Sequence, residues 1–383
     1  TFVQRKVHED LATVLFLGTE VVKARPELKD WGVGSPAKVP LDDLVTQRGT
    51  YEPLNRMRFD AHYPIVSGYD RKVAFGYYVH LADPLYFSQL SASVAVSPYR
   101  VKSGERLHLD VEYRTPNWKL NYWHNLADVY DLAGPVLRSR KGDAFKVGYT
   151  RPLIYDPPRQ LDIFGSVATY FGLEQLPNAQ NISSPKDLRS GELGVRYTNT
   201  TKALGGVDHE KGLNAQIVAA ADQAQGDFFP RLYGGIDIGT ALPWGNSSAW
   251  LYTHAGIVGG QRQSPLAAFY FGSFRNNYVD DRSEKRYREL ESFPGFDIDE
   301  IAARRFAKVT GEINLPPVRF AEVGTAAFYL SYIRPAVFAG AMATEEPDGG
   351  SRTYANVGAQ LDLSFTVAMR LPMVLSIGAA AGF

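Results

Sequence analysis

The sequence predicts an all-β fold: a transmembrane antiparallel β-barrel of about 16 strands with a short N-terminal extension. Three observations predict it. From about residue 51 onward the dominant hydrophobic period is two; no stretch after that point is long and 3.6-periodic enough to be a covering helix; and the chain finishes on an apolar strand pattern with Phe383 last. A length of 383 residues suits one large barrel as well as several soluble domains, so the pattern carries the argument rather than the size.

The period of two is the spacing of a strand with one apolar and one polar face. In Glu105 to Arg114, Leu107, Leu109, Val111 and Tyr113 share one face, while Arg106, His108, Asp110, Glu112 and Arg114 share the other. The first set is expected to meet lipid and the second to line a lumen. A second regular run places Leu361, Leu363, Phe365, Val367, Met369 and Leu371 opposite Asp362, Ser364, Thr366, Ala368 and Arg370, and reads as one strand. Weaker alternation recurs at Phe145-Val147-Tyr149, Leu161-Ile163-Val167, Leu193-Val195-Tyr197, Leu213-Ala215-Ile217, Leu232-Ile236-Ile238 and Val309-Ile313-Leu315. Turn chemistry separates these runs, at Ser103-Gly104, Thr115-Pro116-Asn117, Asp156-Pro157-Pro158, Pro243 to Asn246 and Pro347 to Gly350.

Alternation alone also describes a water-soluble sheet packed on a core. The aromatic content favours a membrane: 22 Tyr and 21 Phe are present, and Trp118, Tyr122, Trp123 and Tyr149 read as part of an interfacial girdle. No run of about 18 apolar residues exists, which excludes a spanning helix. Mean hydropathy is -0.22, so apolar residues must be hidden in a pattern rather than a block.

The last strand carries Met373, Leu375, Ile377, Ala379, Ala381 and Phe383 on one face. Ser376, Gly378, Ala381 and the final Phe383 have the spacing of an outer-membrane assembly signal. An exposed strand this apolar would be an aggregation hazard in water. Residues 1–50 differ: Val3 to Arg25 is mixed, Pro26 to Gly49 is charged and without period, and the segment reads as a periplasmic extension, a plug or the stub of a further domain. The barrel is assigned to 51–383. The chain begins at Thr1 without a basic or apolar leader pattern, so an export signal is inferred rather than seen.

Lys plus Arg and Asp plus Glu number 41 each, which leaves no basic excess for nucleic acid. With no Cys, disulfides, zinc-thiolate sites and thiol catalysis are impossible. The seven His residues lack ligand spacing, so no metal and no cofactor are expected. Asp208-His209 with Asp280-Asp281 could orient a water for hydrolysis, but their order does not fit the outer-membrane proteases built that way, and loop-tip polar residues are the simpler reading. Neither a Gly-x-Ser-x-Gly elbow nor a phosphate-cradling loop is present, and no catalytic residue is assigned.

Several words resemble a known family: Tyr122 to Asn125 with Tyr130 to Pro135, then Leu153 to Arg159, Phe269 to Gly272, and Phe293 to Phe296. Together they resemble the surface-antigen barrel superfamily of outer-membrane assembly factors and two-partner secretion pores, loosely over 51–383 and best over 269–383. They are also similar to its relatives in which a periplasmic β-propeller precedes the barrel. The resemblance implies a sixteen-strand barrel and a long loop that folds into the lumen with an aliphatic-Arg-Gly-aromatic tetrapeptide, whose Arg pairs with acidic residues on the wall. Phe293-Pro294-Gly295-Phe296 matches in Gly and aromatic, while Pro294 stands where the Arg would be; Arg304 and Arg305 are the candidate substitute cations. Independently, residues 272–303 lack alternation and carry Arg282, Glu284, Lys285, Arg286, Arg288, Glu289 and Glu291, too charged to meet lipid.

The expected function is assembly or translocation across the bacterial outer membrane, or anchoring of a periplasmic module, without chemistry of its own. Outer-membrane lipid, the barrel assembly machinery and periplasmic or envelope proteins are the expected partners. A diffusion porin, with Arg106 to Arg114 setting ion selectivity, and a structural subunit of an envelope complex are the alternatives.

Overall fold

The computed structural model describes residues 23–26, 49–69, 72–98, 103–125, 131–132, 137–175, 186–274 and 285–383. The chain divides into two units, Thr1–Glu52 and Pro53–Phe383. Most of the extension expected over 1–50 lies outside the described residues.

In the second unit the strands are β1 (Arg58–Tyr69), β2 (Lys72–Ala82), β3 (Gln89–Val96), β4 (Leu107–Arg114), β5 (Trp118–His124), β6 (Asp131–Leu132), β7 (Leu137–Asp156), β8 (Arg159–Gln175), β9 (Leu188–Thr201) and β10 (Lys211–Ala224). They continue as β11 (Asp227–Ala241), β12 (Ser248–Val258), β13 (Phe269–Phe271), β14 (Ile301–Ala303), β15 (Arg305–Asn314), β16 (Val318–Arg319), β17 (Phe328–Glu345), β18 (Ser351–Val367) and β19 (Leu371–Gly382). One sheet of 17 strands holds all but β13 and β14, which pair with each other. Its long strands form an antiparallel meander, each hydrogen-bonded to the next long strand in the chain. No ladder between β1 and β19 is among the described pairings.

Connections alternate between two ends. One end carries 97–106, 125–136, 176–187 and the longest connection, 259–304, besides the short 225–226 and 346–350; the other carries 83–88, 115–117, 157–158, 202–210, 242–247, 315–327 and 368–370. The turn words found in the sequence fall in connections, save that Asp156 closes β7, because Pro cannot donate to a ladder and Gly or Asn accepts positive φ. One turn escapes that logic. Leu361 to Leu371, expected as one strand, is two: β18 stops at Val367 and β19 starts at Leu371, with Ala368 at φ +50 and Met369 at φ +60. A hairpin this tight takes part of its turn at positive φ, and here two residues that disfavour it supply it, at a cost of roughly 1–2 kcal/mol each.

The partition of side chains is the reverse of a water-soluble core. Phe59, Val66, Phe75, Val167, Leu193, Ile217, Ile238 and Ile377 are all more than half exposed, whereas Ser97, His108, Asn121, Lys308, Glu312, Asn314, Arg334, Gln360 and Asp362 are buried. Lipid explains both sets: hydrocarbon welcomes the apolar face, and the ladders satisfy backbone groups that would each cost several kcal/mol unpaired there. Alternation turns the polar residues of successive strands to one face of the sheet and the apolar ones to the other, and the fold is a transmembrane antiparallel β-barrel. Trp118, Tyr122 and Tyr149 share the outward face, Trp118 lying against Tyr149 at 4.7 Å between ring centroids. Trp123, grouped with them in the sequence, sits opposite Asp110 on the inward face, because adjacent residues of a strand point to opposite sides.

Candidate functional site

The interior is filled where β12, β15, β17 and β18 meet the connection 259–304. The period of two places Phe306, Lys308, Thr310, Glu312 and Asn314 of β15 inward and buried, and does the same for Arg334 and Phe338 of β17 and for Asn356, Gln360 and Asp362 of β18. Against this wall lies an inner segment, 285–296, that belongs to no strand.

Its deep end is electrostatic. Arg288 clasps Glu312 with two bonds, Nε to Oε2 at 2.8 Å and Nη2 to Oε1 at 2.5 Å, and Nη2 also donates to Asp208 Oδ2 at 3.0 Å. Arg334 Nη1 lies 3.2 Å from the same Asp208 oxygen, and its Nη2 donates to Asp362 Oδ2 at 2.9 Å. Asp362 Oδ1 then accepts from Gln360 at 2.6 Å and Ser376 at 2.7 Å. Lys285 donates to Asn314 and stands 3.7 Å from Glu312 Oε1. Lys285, Arg288 and Arg334 thus balance Asp208, Glu312 and Asp362, which is the condition for burying charge at tolerable cost. Burial draws the Lys285 ammonium down to about 8 despite the pull of Glu312. Burial alone would raise the Asp208 carboxyl, but Arg288 and Arg334 outweigh it and hold the group at about 2.

Asp208 lies in the 202–210 connection, so its end of the barrel is the one away from the long loops. The segment that starts at the long-loop end therefore reaches the opposite end before returning. On the return Lys308 Nζ donates to the carbonyls of Glu289, Leu290 and Ser292 at 2.7, 2.6 and 2.9 Å. Tyr287 stacks on Phe338 with centroids 4.1 Å apart. At the long-loop end the packing turns apolar: Phe269, Phe271, Phe293, Ile301, Phe306 and Met342 form one buried cluster.

Phe293 is buried and stacks on Phe296, which meets Tyr354 edge-on at 5.4 Å. The Pro294 carbonyl accepts from Asn356 Nδ2 at 2.8 Å. Gly295 has φ +102, and a Cβ there would meet the backbone of Ala381 and Gly382. Arg304 and Arg305 are elsewhere: Arg304 donates to the carbonyls of Val258 and Gly260 at the rim, and Arg305 pairs with Glu345 on the outward face. The cations that meet buried carboxylates are Arg288 and Arg334. Among the residues of the assembly-signal pattern, Ser376 bonds Asp362, Gly378 lies under Phe274, Ala381 backs Gly295, and Phe383 is exposed while pairing with Ala355 at the long-loop end.

On β4, His108 is buried between Ser97 Oγ at 2.8 Å and the Asn125 carbonyl at 2.6 Å. Glu112 gathers Arg114, Lys119 and Asn121, while Asp110 shares their face and Arg106 precedes the strand, exposed. Asp208 meets two guanidiniums and takes only the backbone N–H of His209, so no carboxylate–imidazole pair forms there. Asp280 and Asp281 lie outside the described residues. Sequence reasoning did not single out Glu312, Arg334 or Asp208 as an inner network; the available signal was lone charges at inward positions of otherwise apolar strands.

No protein-family model matches the chain, and no curated protein does. Among solved structures it is similar to BamA from Haemophilus ducreyi lacking POTRA domains 1-3, at 10% identity over 86% of this chain and 70% of that one, with a TM-score of 0.44. It is also similar to CdiB from Escherichia coli, at 14% identity over 84% of this chain and 62% of the other, with a TM-score of 0.43. CdiB from Acinetobacter baumannii matches at 12% identity over 86% of this chain and 60% of its own, with a TM-score of 0.40. The chain spans about three fifths of either CdiB structure, and likenesses at this level assign it no activity.

Proposed function

We propose that this chain is a bacterial outer-membrane barrel of the surface-antigen type, in which the connection 259–304 is a resident lumenal plug. Its role is to assist assembly in, or passage of polypeptides across, that membrane, or to anchor a periplasmic module. The observation that carries the reading is the bidentate pair of Arg288 with the fully buried Glu312, made by a loop residue that has crossed the interior. A diffusion porin directs its inner charges at an open aqueous path. Here the charges on β15, β17 and β18 are paired with the inner segment and with each other. The family words around Phe293 to Phe296 support the same reading, with Arg288 and Arg334 taking over the cationic part that Pro294 lacks.

Reconstituted conductance tests it. The wild-type barrel should give small or flickering currents in planar bilayers, and removal of the charge lock by Arg288→Ala should raise their size. Large, steady currents from the wild type would overturn the plugged-barrel reading in favour of the porin.

A further inference from the structure

The outward face of the barrel is not uniform. Across β11, β12 and β15 the ladders set three small residues side by side, Gly234 beside Ala255 and Ala255 beside Ala307. They floor a furrow of about 910 Å³ that runs over β9 to β15, walled by Val195, Ile217, Leu232, Ile236 and Ile257. Alternation puts these side chains on the lipid side, since Phe229, Tyr252, Phe306 and Lys308 of the same strands are buried inside.

Two residues nearer the long-loop end, roughly 7 Å along the strands, the next outward row reads Leu232, Ile257, Arg305 and Glu345. There the furrow runs into a rim pocket of about 420 Å³, which shares Leu232, Ile257 and Arg305 with it and adds Arg262, Arg304 and Glu345. Four arginines line it against one carboxylate: Arg231 is held by Asp222 at 2.8 Å, and the other three stand about Glu345. Glu345 takes Arg262 at 3.1 Å and Arg305 at 3.3 Å, both Arg side chains remaining more than half exposed. Arg304 is tied to two carbonyls, yet its Nη1 is buried without a hydrogen-bond acceptor. Its charge therefore adds to the positive field of the pocket from behind, while the open donors are those of Arg262 and Arg305.

An apolar trough that runs into a cluster of cations toward the rim has the chemistry of a lipid site, acyl chain below and headgroup above. We propose that it binds one lipid of the leaflet at the long-loop end. The lipid's phosphate lies among Arg262, Arg304 and Arg305, and an acyl chain lies along the floor of Gly234, Ala255 and Ala307. Longer loops mark the outer side of such barrels, so on the outer-membrane reading above, on which this inference rests, the occupant is lipopolysaccharide held through a lipid A phosphate. Arginine forks suit phosphate oxygens in a way that a surface meeting only hydrocarbon would not require.

The test is native mass spectrometry of the full chain in detergent, titrated separately with lipid A, phosphatidylglycerol and phosphatidylethanolamine. Folding is checked by heat-modifiable migration and the lumen by conductance. The wild type should retain one lipid A where neither phospholipid is retained. Arg262→Ala with Arg305→Ala should weaken retention about tenfold or more, given the worth of each surface cation to an anionic lipid. Ala255→Phe, which fills the trough and leaves the cations in place, should weaken it as well. Retention of lipid A by both folded variants at the wild-type level overturns the site, and equal retention of phosphatidylglycerol overturns its assignment to lipid A. Loss of the lipid with migration and conductance intact bears on this site alone and leaves the plugged barrel standing.

Discussion

Arg288 and Asp208 meet at 3.0 Å although the connections that carry them leave the sheet at opposite ends. The contact pins Arg288 of the 259–304 connection to the far rim, and Glu312 holds the same guanidinium from the wall. A pair buried this way contributes little net stability when intact, but removing one partner strands the other in a poorly solvated place.

Arg288→Ala is therefore expected to lower stability by about 3–5 kcal/mol, measured by urea unfolding of the refolded barrel in micelles. Replacing both Arg288 and Glu312 by apolar residues of similar size should cost less than Arg288→Ala alone. Additive losses would show that the two side chains do not act as a pair.

A Cys at Phe296, in a chain otherwise free of thiols, should react slowly with a large impermeant maleimide on whole cells, because Phe296 packs on Phe293 and Tyr354. Gly295→Val should speed labelling, since a side chain at φ +102 is strained and would collide with Ala381 and Gly382. Rapid labelling in the unaltered loop would place this segment outside.

Leu109→Arg should cost about 2–4 kcal/mol if the residue sits near the membrane midplane, whereas Asp110→Asn should be nearly silent. Equal tolerance at the two positions, read from refolding yields into vesicles and unfolding midpoints, would reject the assignment of lipid and lumenal faces.

Asp208 carries a pH signature. Its folded carboxyl is held at about 2, below the ordinary 3.8, so the folded state releases this proton more readily than the unfolded chain. The resulting stability, about 2 kcal/mol, is complete above roughly pH 4 and is lost as pH falls toward 2. Asp208→Asn should flatten that part of the acid-unfolding curve, and an unchanged curve would mean that Arg288 and Arg334 do not hold the carboxylate.

What the sequence by itself determined is local and periodic. Alternation at Leu107 to Tyr113, at Leu193 to Tyr197 and along β15 assigns side chains to two faces, and the Pro, Gly and Asn words mark the ends of strands, because both signals act within a few residues. The charged, non-periodic stretch before Phe293 was equally legible as something lipid would reject. The hairpin at Ala368-Met369 was not, since neither residue advertises positive φ and the alternation runs straight through it. Only the tertiary structure decided that Arg288 and Arg334 meet the buried carboxylates while Arg304 and Arg305 stay at the rim. The physical reason is distance along the chain: Asp208 and Arg288 are 80 residues apart, and no period links them until the sheet curves and the connection passes through it.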